Sequence, residues 1–67
     1  MEVFVNNKPY RYETSLSLEQ VLTELGLKGK NGIAVAVNQK VVSKPQWPSF
    51  TLQNQDQITV ITATQGG

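Results

Sequence analysis

Few side chains in this 67-residue chain could do chemistry. Cysteine and histidine are both absent. That removes thiolate nucleophiles, disulfides and Cys-based metal sites, together with the usual general base and the commonest metal ligand. The five acids, Glu2, Glu13, Glu19, Glu24 and Asp56, stand singly, with no paired-carboxylate spacing, and read as solvated surface. What remains is six basic side chains, some hydroxyls and the chain terminus, which closes ITATQGG. There, strand-forming residues give way to Gln65 and then to Gly66 and Gly67. Glycine has the most backbone freedom to lose on ordering, so two that pack nothing call for a reason. Disorder at a chain end or an expression scar would be one. A scar usually brings a tag or protease site, and none is visible.

The elements that must position this terminus are small. A domain of this length buries only about 60% of the surface its unfolded chain exposes, and its core supplies no more than about 3–5 kcal/mol of net stability. It has little material for a deep pocket, which disfavours an enzyme acting alone and favours a module working inside a larger partner. The net charge is +1. The close pairs Lys28–Lys30 and Lys40–Lys44 form no basic stripe, so no nucleic-acid partner is expected. No signal-peptide pattern opens the chain, and no apolar run approaches the roughly 20 residues of a membrane helix. The expectation is a soluble, cytoplasmic, monomeric domain over residues 1–67, with 63–67 a flexible tail.

Periodicity supplies the order of elements. MEVFV alternates, with Val3 and Val5 on one face and Glu2 and Phe4 on the other. NNKP reads as a turn and YRYE resumes the strand pattern, giving a hairpin. Leu18, Val21, Leu22 and Leu25 then fall at i, i+3, i+4 and i+7, one face of a helix. Ser17 is its N-cap, Gln20 completes a capping box, and Leu16 is placed to staple onto Val21. Gly26 is placed to end the helix in a left-handed conformation. IAVAV puts Ile33, Val35 and Val37 on one face and Ala34 and Ala36 on the other. NQ turns the chain and KVV pairs back. SKPQWPSF, with two prolines, reads as an irregular crossover in which Trp47 plugs one end of the core. QITVIT is the last strand, Ile58 and Val60 inward, Thr59 and Ile61 outward.

One helix on one face of a mixed sheet of four to five strands is an α+β roll. Its expected core is Val3, Val5, Leu18, Val21, Leu22, Leu25, Val35, Val37, Ile58 and Val60. The opposite face carries Phe4, Ala34, Ala36 and Ile61, and a cluster of apolar residues on a flat sheet face suggests a partner site.

This order of elements, closed by Gly66-Gly67, resembles the ubiquitin-like β-grasp fold. IAVAVNQKVVSKPQW followed by FTLQNQDQITVI narrows the resemblance to the ThiS family of bacterial sulfur carriers of thiamin biosynthesis, and it runs from Met1 to Gly67. There are departures. Where the family often has Asp-Gly-Asp before the last strand, this chain has Asn54-Gln55-Asp56. The change is expected to alter only turn geometry, since asparagine tolerates left-handed conformations. The polar Gln65 stands where a small apolar residue is common.

The resemblance implies a protein co-substrate rather than an enzyme, with no bound cofactor. A ThiF-type adenylating enzyme, using ATP, would join AMP to the Gly67 carboxylate, and a sulfur donor such as a cysteine desulfurase would displace AMP to leave a thiocarboxylate. That sulfur would pass to a ThiG-type thiazole synthase. The glycines then have a purpose. An acyl-adenylate must be shielded from water, so the tail threads a narrow passage whose walls approach its backbone closely. Phe4, Ala34, Ala36, Ile61 and Gln65 would contact the partner while Gly66 and Gly67 carry the chemistry. Related carriers feed molybdopterin synthesis or transfer-RNA thiolation, and some conjugate to protein lysines. β-Grasp domains also serve as binding modules with no use for a terminal carboxylate.

Overall fold

A computed structural model describes residues 1–29 and 31–62. Strands β1 (Glu2–Val5) and β2 (Lys8–Arg11) form the first hairpin, followed by helix α1 (Leu18–Glu24). A second hairpin, β3 (Ile33–Val37) and β4 (Lys40–Val41), leads through a 3₁₀ helix (Lys44–Ser49) to β5 (Gln57–Thr62). The sheet has five strands in the order β2-β1-β5-β3-β4. β1 and β5 lie parallel at its centre, and the other three pairings are antiparallel. First and last strands side by side and parallel, with one helix across the sheet, give the expected β-grasp roll.

Turn chemistry explains both hairpins. Asn6 and Asn7 (φ 50° and 69°), and Asn38 and Gln39 (φ 52° and 72°), are left-handed. Two successive positive φ values make the turn whose twist matches the strands it joins, and asparagine is among the residues that accept it most readily.

Helix α1 starts and stops as its sequence specifies. Ser17 Oγ accepts the Gln20 N–H at 3.2 Å, and Gln20 Oε1 accepts the Ser17 N–H at 2.8 Å, closing the capping box. Gly26 (φ 75°) ends the helix. Its N–H donates to Thr23 O and that of Leu27 to Leu22 O, the paired closure that satisfies otherwise orphaned carbonyls. A Cβ on Gly26 would meet nothing within 4 Å, so glycine is required there for conformation alone.

The buried core holds Val3, Val5, Leu18, Val21, Leu22, Val35, Val37 and Ile58, together with Trp47, all expected, and adds Val42 and Leu52. Leu25 and Val60 are half-buried and pack against its margin rather than inside it. Leu25 is the residue at which the helix ends, and Val60 lies on the part of β5 beyond the end of β1. Both therefore stand where cover runs out.

Three further expectations are corrected. The crossover is not irregular: Lys44–Ser49 wind into a 3₁₀ helix with Pro45 in its first turn, where a missing N–H costs nothing. Buried Trp47 anchors this helix, donating its indole N–H to Val42 O at 3.0 Å. In the turn before β5 the left-handed residue is Gln55 (φ 73°), not Asn54. Asn54 instead turns its Oδ1 to the Glu2 N–H at 2.8 Å. Asp56 is buried rather than solvated, and it holds the same turn by accepting the Gln53 N–H and the Asn38 side-chain amide.

Candidate functional site: the outer sheet face and the last strand

Cross-strand partners share a sheet face, so register places every candidate side chain. Ala34 stands opposite Ile61, and Ala36 opposite Thr59 on one side and Val41 on the other. These residues point away from α1, because their neighbours Val35, Val37 and Ile58 are in the core. Ile61 is 60% exposed and Val41 77% exposed. Small alanines between them leave a flat apolar surface beside the C-terminal half of β5.

Phe4 shares the face but not the cluster. It is half-buried and pairs with Pro9 on β2 and Gln57 on β5. Gln57 and Ile61 are four residues apart, about 13 Å along the strand. The far end of the same face is ionic: Glu2 and Arg11 are cross-strand partners, and their side chains approach to 3.8 Å. The outer face is thus polarised, apolar toward the end of β5 and charged toward its start. Gln65, Gly66 and Gly67, with the rest of 63–67, lie outside the described residues.

Val41 is the member of this surface that sequence reasoning missed. The signal was present. A two-residue Asn-Gln turn fixes the pairing of Val37 with Lys40, and therefore of Ala36 with Val41.

Among the described residues no group of three potential metal ligands converges. An open groove of about 600 Å³ beside α1 is lined by Tyr12, Leu16, Glu19, Glu24 and Lys28, among others. Lys28 and Glu19 pair across it at 3.7 Å. Burial, with smaller contributions from Glu24 and Tyr10, raises the Tyr12 hydroxyl above its ordinary pKa. No helix among the described residues is long and apolar enough to cross a membrane. What these residues offer is a surface and a strand leading to the glycines.

Comparison with known proteins agrees. Over 67 residues the chain is 27% identical to the sulfur carrier protein ThiS of Escherichia coli, covering the whole of both. It is 34% identical to a thiazole synthase of Magnetococcus marinus, all of this chain matching 20% of that protein's length. The crystal structure of a thiamine biosynthesis protein (ThiS) from Geobacter metallireducens superposes with a TM-score of 0.83, each chain fully covered. At 23% identity that likeness speaks for the fold alone. The profile of the ThiS family, however, matches residues 3–67, through both hairpins, the apolar face and the two glycines, and the chain belongs to the ThiS family.

Proposed function

We propose that this protein is a sulfur carrier of thiamin biosynthesis, a cytoplasmic monomer that works as a co-substrate and leaves catalysis to its partners. The observation that carries the reading is the family match, which runs through Gly66-Gly67. The apolar face of Ala34, Ala36, Val41 and Ile61 beside the end of β5 supports it.

The chemistry starts from a poor electrophile. The Gly67 carboxylate attacks the α-phosphorus of ATP held by an adenylating enzyme, and pyrophosphate departs. The resulting mixed anhydride has AMP as a good leaving group. Sulfur delivered at the hydrosulfide level attacks the acyl carbon, AMP leaves with the bonding electrons, and a thiocarboxylate remains. A thiazole synthase then receives that sulfur. Ordering each tail residue in a passage costs about 1–2 kcal/mol of backbone entropy, and docking of the apolar face offsets it. Phe4 contributes at the margin of the docked surface, and Gln65 meets the mouth of the passage.

Intact-mass spectrometry of the protein from its native cell, grown without thiamin, tests the reading. A species heavier by the difference between sulfur and oxygen is expected. Its absence under that demand would favour a plain binding module.

A further inference from the structure

β1 stops short of β5. The backbone ladder between them ends with Phe4 N–H to Asp56 O at 3.0 Å and Asn6 N–H to Ile58 O at 2.9 Å. Asn6 and Asn7 then turn the chain away, while β5 continues to Thr62. The next backbone group along that edge is nonetheless paired on both sides. Val60 N–H donates to Asn6 Oδ1 at 2.8 Å, and Asn6 Nδ2 donates to Val60 O at 3.2 Å. A primary amide carries the same donor and acceptor as a peptide group, so the side chain stands in for the rung that β1 lacks. On the opposite edge β3 pairs with β5 as far as Ile33–Thr62.

We infer that Asn6 is a positioning residue for the carrier's terminus, fixing the direction in which β5 hands the chain on toward Gly67. The inference rests on the sulfur-carrier reading. The turn alone does not explain these bonds, since glycine accepts the left-handed conformation as readily. Stability alone does not explain them either. Both bonds are exposed, and an exposed hydrogen bond largely exchanges with one to water. What water cannot replace is alignment. Without the clamp, the backbone of β5 beyond Ile58 is paired, among the described residues, with β3 alone. Residues so freed must be ordered again before the carboxylate reaches ATP, and re-ordering one residue's backbone is worth about tenfold in rate.

The test compares the parent chain with Asn6→Gly, which keeps the turn and removes the clamp, and Asn6→Asp, which keeps the acceptor and loses the donor. Ser17→Ala serves as a control that destabilises α1 without touching β5. ATP–pyrophosphate exchange with the adenylating enzyme is measured alongside hydrogen exchange at the Val60 amide. Asn6→Gly should lower kcat about tenfold or more, with a smaller change in KM, and speed Val60 exchange. Asn6→Asp should fall between it and the parent, and Ser17→Ala should leave kcat unchanged. Parental kcat in Asn6→Gly, or an equal loss in Ser17→Ala, would overturn the role while leaving the carrier reading standing. No exchange with the parent chain itself would overturn the carrier reading, and the role with it.

Discussion

Replacing Ile61 by glutamate separates folding from docking. Ile61 is 60% exposed. Full burial of an isoleucine is worth about 1.5–3 kcal/mol, so the part of Ile61 already covered contributes about 0.6–1.2 kcal/mol. Losing that, and up to about 1 kcal/mol of strand preference, removes about 1–2 kcal/mol from a margin of about 3–5 kcal/mol. The domain should stay folded. Docking should suffer more. The exposed part of the side chain, once covered by a partner, is worth about 0.9–1.8 kcal/mol, or about 5- to 20-fold in kcat/KM, and desolvating a carboxylate adds to the loss. Ile58→Glu is the contrast. Ile58 is 2% exposed, and an unpaired carboxylate there costs several kcal/mol, so that variant should unfold. Circular dichroism melts and pyrophosphate exchange read both effects. A folded Ile61→Glu with undiminished exchange would refute the docking role. Unfolding by Ile61→Glu but not by Ile58→Glu would refute the register, since a slip of one residue exchanges the faces.

Three further predictions concern the scaffold. Leu22→Ala removes a fully buried side chain at a cost of about 2–5 kcal/mol, and should leave much of the population unfolded in a thermal melt; an unchanged melt would show that α1 does not bury this face. Gln55→Gly should raise the melting temperature, because a left-handed non-glycine residue costs about 1–2 kcal/mol and the bond it gives up, Gln55 Nε2 to Glu2 Oε1, is exposed and 3.4 Å long; a lower melting temperature would contradict this. The Tyr12 hydroxyl is harder to ionise folded than unfolded. The folded state therefore keeps its proton longer, and the stability tied to it is complete below about pH 10 and lost as pH rises above that. Tyr12→Phe should flatten this alkaline slope in denaturant titrations, and an identical slope would remove the assignment.

Much of this architecture is local information. The capping box at Ser17–Gln20, the stop at Gly26, and the bounds of β3 and β5 each depend on residues within a turn or a strand of one another, and sequence reading finds them. The burial of Val42 and Leu52 was not legible in the same way. Leu52 is fixed by its N–H donating to Leu16 O at 3.0 Å, beside a bridge between Ser17 and Thr51, contacts between segments far apart in the chain. Gln55 takes a left-handed conformation that its side chain does not favour, because its N–H is held on Glu2 O. The outer face was legible for Ala34, Ala36 and Ile61, since alternation alone sets their side of the sheet. Phe4 has the right parity, but its distance from the cluster depends on how β1 registers with β5. The Asn6 clamp spans 54 positions. Nothing local distinguishes Asn6 from any other turn asparagine.

The most direct test of the central claim is ATP–pyrophosphate exchange by two tail variants, one lacking Gly67 and one with a single residue added after it. Deletion draws the carboxylate back by up to about 3.3–3.6 Å in an extended chain, and extension moves it as far the other way, when about 1 Å can cost about 10²-fold. The carrier account assigns the tail no packing role, so both variants should melt as the parent does and both should lose exchange. Near-parental exchange by the chain lacking Gly67 would contradict the account.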